Sequence, residues 1–217
     1  MSDFARRRTI MVDTQVRPSD VTRFPIIEAM LSVPREEFVP RDKREAAYVE
    51  NNIPLADGRV MLEPRSVAKM LEALDVKPSD LVLVIGAGLG YSSALIARLC
   101  EAVVAVEDVP DLARDAEAAL AEAGVDNVAV VEEALADGAG KHGPYDAIFI
   151  EGAVERLPGN FAELMNEGGR IVALFAEGTL GVAKLGVKAD GAISWRPIFN
   201  AGAPVLPGFE AERSFAL

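Results

Sequence analysis

Three glycines at alternate positions, Gly86, Gly88 and Gly90, follow the apolar run Val82-Leu83-Val84-Ile85. A second apolar run, Val103 to Val106, ends in Glu107, close to the roughly 20-residue separation at which an acid meets a cofactor ribose. These residue types at this spacing suit a nucleotide-type cofactor. Glycines turn the backbone sharply and admit a ligand where a Cβ would otherwise stand. A carboxylate at the end of the second strand accepts hydrogen bonds from ribose hydroxyls. A bare turn between strand and helix would also use glycines, but it would not require Glu107.

The spacing narrows the cofactor. Dinucleotide sites read G-x-G-x-x-G and aim a helix N-terminus at a pyrophosphate. Here the glycines read G-x-G-x-G, with no basic residue among them and no Lys-Ser/Thr pair after them. This tighter loop resembles that of S-adenosylmethionine-dependent methyltransferases, whose cofactor has no phosphate to cradle. A dinucleotide oxidoreductase is disfavoured, because the third glycine is one residue early and no catalytic pair is visible. The single Cys100 and the single His142 read as a small core residue and a surface residue before Gly143-Pro144. No metal site is expected.

The elements that must position this loop follow from periodicity. Leu81–Ile85, Val103–Val106, Val128–Val131, Ala147–Ile150 and Ile171–Phe175 read as buried strands, since apolar runs without alternation indicate strands covered on both faces. Between them, Ser92–Leu99 and the stripe Leu112, Ala116, Ala119, Leu120, Ala123 predict helices, the second closed by Gly124. Phe161, Leu164 and Met165 predict a further helix ended by Gly168-Gly169. The alternation predicts a doubly wound α/β fold with a mostly parallel, Rossmann-like sheet. Val182, Leu185, Val187 and then Ile193, Trp195, Ile198 predict antiparallel strands that complete it.

Residues 1–64 read as a helical and irregular extension on the substrate side, and 65–217 as the α/β part, together one compact unit. Ile26, Ile27, Met30 and Leu31 mark a helix stopped by Pro34, and Asn51–Pro64 reads as irregular or extended. Val67, Met70, Leu71 and Leu74, at i, i+3, i+4 and i+7, predict a helix with one apolar stripe.

Half of the 217 residues are hydrophobic, which supports a sizeable core, and the net charge is -12. That balance disfavours nucleic acid and anionic membrane surfaces. Arg6-Arg7-Arg8 reads as a solvated helix face. No apolar stretch reaches membrane-span length, no secretory leader is visible, and a lone cysteine suits a reducing compartment. A cytoplasmic location is expected.

With these blocks in hand, the chain resembles the protein-L-isoaspartate O-methyltransferase family. Met11-Val12-Asp13-Thr14-Gln15-Val16-Arg17 is similar to its M-V-x-x-Q-L-R opening. Ile27–Met30, Val33–Pro40 and Ala47-Tyr48 match its next blocks, Tyr145–Ile148 its fourth-strand start and Gly168–Val172 its fifth. The resemblance spans roughly residues 5 to 175 of the chain.

The resemblance implies methyl transfer from S-adenosylmethionine to the carboxylate of an isoaspartyl residue in damaged proteins, with S-adenosylhomocysteine as product. It places the cofactor at Gly86, Gly88, Gly90, Glu107 and Asp108, and its adenine beside Glu133 and Ala134. A carboxylate needs no general base to act as a nucleophile, so the enzyme's part is alignment and exclusion of water. Three positions depart from the pattern. Leu62 stands where the family has a serine at the transfer site, leaving no confident catalytic residue, with Ser66 a candidate substitute hydroxyl. Val84 replaces the acid that helps hold the cofactor's amino group. Glu133-Ala134-Leu135 replaces the G-D-G whose aspartate recognises adenine. Two alternatives therefore stay open: a methyltransferase of altered substrate, and a non-catalytic descendant.

Overall fold

The central strands form because β-branched and aliphatic residues bury both faces of a pleated ribbon, and the edge strands are partly exposed. In the computed structural model, which describes residues 3–56, 58–177 and 180–211, they assemble into one seven-stranded sheet of order β5-β4-β3-β6-β7-β8-β9. The strands are β3 (Leu81–Ile85), β4 (Ala102–Glu107), β5 (Val128–Glu132), β6 (Tyr145–Val154), β7 (Met165–Glu177), β8 (Leu180–Ala189) and β9 (Ala192–Asn200). The first five are parallel, and β8 and β9 add antiparallel. The mostly parallel α/β architecture and the antiparallel finish are as the patterning predicts. The expected domain segment 65–217 includes residues 212–217, which lie outside the described residues.

The order of strands reverses direction between β3 and β6, which pair with Ile85 beside Ile150. Crevices for ligands open at such a point, beyond the carboxyl ends of the strands. The glycine loop leaves β3 at this point, and Glu151-Gly152 lies on β6 just after Ile150.

Side chains alternate across the sheet with the period of two. Val82, Val84, Val103 and Ala105 share a core with α3 (Pro64–Leu74) and α4 (Tyr91–Ala97), including Val67, Leu71 and Leu95. The N-terminal α1 (Asp3–Met11) and α2 (Phe24–Ser32) join the same core through Met11, Ile26 and Met30. Leu120 of α5 (Pro110–Glu122) completes it. On the opposite face, Leu83, Ile85, Ile148 and Ile150 pack with Leu135, Phe161, Leu206 and Phe209.

That second face carries a correction. The helix expected from Phe161, Leu164 and Met165 is a single 3-10 turn, Gly159–Ala162, and Met165 already belongs to β7. Spacing of three apolar residues cannot distinguish a helix from a short turn feeding a strand. Phe161 meets Phe209 edge-on, with centroids 5.5 Å apart, so the tail supplies the cover a helix would have given.

Asn51–Pro64, expected as irregular or extended, folds into a separate two-stranded hairpin of β1 (Ile53–Ala56) and β2 (Arg59–Met61). Gly58 makes its turn at φ +68°, a conformation that favours glycine. Arg7 and Arg8 are tied into the fold rather than simply solvated. Arg7 pairs with Asp3 and Glu45, and Arg8 with Glu36.

Candidate cofactor site

The loop after β3 is held by Gly86 N–H and Ala87 N–H, which both donate to the Val106 carbonyl, at 2.9 and 3.1 Å. Gly86, Gly88 and Gly90 have φ of +77°, +57° and +93°, so each stands where a side chain would strain the backbone. Gly90 faces Leu120 of α5, 3.2 Å from where its Cβ would be. Its role in the fold is close helix packing at the start of α4.

Glu107 ends β4 as expected and is fully buried. Its carboxylate is committed within the protein. Oε2 accepts from Gly88 N–H at 2.7 Å and from Arg59 Nη2 at 2.5 Å. Oε1 accepts from Asp108 N–H at 3.1 Å and Val109 N–H at 3.2 Å. Burial pushes the Glu107 carboxyl upward from its usual range, against the pull of Arg59 and the Gly88 and Val109 amides.

Arg59 has no counterpart in the motif-based reading. It comes from β2, its side chain is 2% exposed, and its guanidinium lies against the glycine loop. Nη2 and Nη1 stand 3.0 and 3.1 Å from the position of a Cβ on Gly86. Leu55 Cδ1 of β1 stands 2.6 Å from that of Gly88. Leu206 of the tail lies 3.3 Å from that of Gly86 and 2.5 Å from that of Gly152. The tail is carried there by backbone bonds between Leu206 N–H and the Ala153 carbonyl, and between Ala153 N–H and the Pro204 carbonyl.

The adenine end differs. Asp108, Glu133, Ala134, Leu135, Pro207 and Gly208 are among the residues lining a cavity of about 430 Å³. Asp108 Oδ1 has no hydrogen-bond partner among the described residues, and Glu133 pairs with Lys141. Carboxylate and apolar surfaces together suit a purine with polar edges. S-adenosylmethionine thus fits at this end. At the ribose end, Arg59, Leu55 and Leu206 fill the cradle, and the residues in this arrangement do not fit it.

Beneath the loop lies a polar cluster that motif reading did not single out. Glu151 is 3% exposed. Burial pushes its carboxyl up to about 7, against Ser92, the Leu62 backbone, Arg35 and Arg59. Fully buried Arg35 donates from Nε to the Ala47 carbonyl and from Nη2 to the Leu62 carbonyl, both at 2.7 Å, with its guanidinium 4.7 Å from the Tyr91 ring centre. A lone acid following the apolar run of β6 is the only sequence signal that could have flagged Glu151. Leu62 itself is fully buried. Ser66 donates to Glu63 Oε1 at 2.7 Å in the first turn of α3, so its hydroxyl serves the helix start. Val84 is buried in the sheet. His142 is exposed, and burial pushes the Cys100 thiol up to about 12. Among the described residues no metal-binding cluster occurs.

The model of the protein-L-isoaspartate(D-aspartate) O-methyltransferase family matches residues 8–198. A protein-L-isoaspartate O-methyltransferase of Methanoculleus marisnigri is 38% identical over 168 residues, covering 77% of this chain and 76% of its own length. That of Opitutus terrae is 38% identical over 165 residues, covering 76% and 71%. Among solved structures, a Plasmodium falciparum protein described as a protein-L-isoaspartate O-methyltransferase in complex with S-adenosyl-L-homocysteine superposes with a TM-score of 0.79. It has 19% identity and covers 92% of this chain and 97% of its own. That likeness supports the fold. On the family match and the identities together, the chain belongs to the protein-L-isoaspartate(D-aspartate) O-methyltransferase family.

Proposed function

We propose that the chain is an S-adenosylmethionine-dependent O-methyltransferase acting on isoaspartyl carboxylates of damaged proteins. One observation carries the reading: the family match runs through both the N-terminal segment and the sheet, from residue 8 to 198. Relatives 38% identical bear that activity in their names. The substrate is a protein or peptide with an isoaspartyl residue. The cofactor's adenine takes the cavity bounded by Asp108, Glu133 and Ala134. Gly86, Gly88 and Glu107 frame the ribose end once Arg59 leaves Glu107, and Gly90 keeps α4 against α5.

Residues 1–64 and 65–217 act as one unit, a reading supported by the core that Met11, Ile26 and Met30 share with Val82 and Val84. A net charge of -12 argues against nucleic acid and anionic lipid as partners. A single cysteine is consistent with the cytoplasm. No helix among the described residues is long and apolar enough to cross a membrane.

The test is incorporation of labelled methyl from S-adenosylmethionine into an isoaspartyl peptide and its aspartyl twin. Base-labile label on the isoaspartyl peptide only is the expected result. Incorporation no higher than in an enzyme-free control would overturn the reading.

A further inference from the structure

The ribose end of the cradle is filled by the protein itself, through two side chains of the β1–β2 hairpin, Arg59 and Leu55. β1 and β2 form their own two-stranded sheet, outside the seven-stranded one. Their pairing comprises three registered positions interrupted by a bulge between Pro54 and Ala56. Pro54, Ala56 and Gly58 are exposed. Arg59 and Ile53 are buried and Leu55 is half-buried. The hairpin is thus a half-buried ribbon that seats Ile53 and Met61 in the core and inserts an arginine and a leucine into the cradle.

The inserted arginine is incompletely satisfied. Nη2 bonds to Glu107, but Nε and Nη1 have no hydrogen-bond partner among the described residues. A buried guanidinium with two idle donors carries a desolvation penalty that one ion pair offsets only partly. Such a group can leave for water without losing a complete set of bonds. Glu107 offers one carboxylate to two claimants, Arg59 and a ribose diol, and Arg59 stands against Gly86 where a ligand would approach the backbone.

We propose that the β1–β2 hairpin is a built-in competitor for the cofactor cradle. In the resting protein Arg59 and Leu55 hold the ribose end closed, and S-adenosyl ligands bind only when the Arg59 side chain leaves Glu107. The proposal rests on reading the cradle as an S-adenosylmethionine site. The ligand's apparent affinity is then reduced by the fraction of molecules that are closed.

The experiment is calorimetric titration of the full chain with S-adenosylhomocysteine, in wild type, Arg59→Ala and Arg59→Gln, each first checked for folding by circular dichroism. Arg59→Gln removes the competing cation and keeps an amide that can donate to Glu107, and so decides the matter if Arg59→Ala does not fold. The expected result is a gain of roughly tenfold or more in affinity in the opened variants over wild type. Equal or weaker binding in the folded variants overturns the proposal, as does failure of wild type and variants alike to bind. The methyl-transfer assay fails separately. A gain in binding without transfer leaves the competitor in place and removes the proposed activity. Transfer with equal binding in all variants does the reverse.

Discussion

Arg59 and Glu107 lie 48 residues apart in the chain and 2.5 Å apart in the fold, and neither side chain is more than 2% exposed. The motif acid of the candidate cofactor site is thus paired from within by a residue outside the motif. A buried pair of this kind is weak support for stability but costly to break from one side.

Arg59→Ala should therefore destabilise the protein by about 3–5 kcal/mol, because it strands a buried carboxylate. The double variant Arg59→Ala/Glu107→Gln should recover roughly 1 kcal/mol or more of that loss, since neighbours in one ion pair are not additive. Urea midpoints of wild type, both single variants and the double variant form the cycle. Strict additivity would show that the pair is not coupled.

Glu151 should make stability fall with rising pH. Its folded carboxyl sits at about 7 against an ordinary 4.5, so the folded state holds its proton more tightly than the unfolded state. The contribution is fully present below about 4.5 and is lost as pH rises through about 7, at most about 3 kcal/mol in all. Glu151→Gln should flatten that slope and gain stability relative to wild type at pH 8. Urea midpoints at pH 5, 6, 7 and 8 measure both, and parallel profiles would remove Glu151 as the cause.

Gly152 and Leu206 should be coupled by volume. A Cβ on Gly152 would stand 2.5 Å from Leu206 Cγ, so Gly152→Ala should cost roughly 1–3 kcal/mol by overpacking. Leu206→Ala should cost stability by itself and yet relieve the Gly152→Ala clash in the double variant. Thermal melts of the four proteins decide this, and a double variant no better than the sum would refute the contact.

Cys100 should be inert in the folded state. Burial pushes its thiol up to about 12, which leaves the thiolate at pH 8 about a thousandfold scarcer than in an exposed cysteine. Labelling by a thiol reagent should be slow natively and fast in urea. Rapid native labelling would show that the half-buried thiol is reactive in place and remove the prediction.

Much of the fold was legible because its signals are local. The five apolar runs became the five parallel strands, although Val128–Val131, expected buried, became the partly exposed edge strand β5, and Val67, Met70, Leu71 and Leu74 became the buried stripe of α3. Gly86, Gly88 and Gly90 took the left-handed conformations their spacing implied. Glu107 fell at the end of β4, beside them. Each of these follows from the period of the backbone and the conformational freedom of glycine.

What only the tertiary structure decided is who occupies the space above that loop. Nothing near Glu107 announces Arg59, and nothing near Gly152 announces Leu206 from the tail, because side chains meeting across long loops leave no periodic trace. The same holds where Phe161 found Phe209 in place of a helix of its own. By itself the sequence determined the sheet, the glycine cradle and the acid at its rim. The folded chain determined that Arg59 and Leu55 fill one end of that cradle while Asp108 and Glu133 leave the other open. Local propensities set each element, but occupancy of a site is a property of packing between elements distant in the chain.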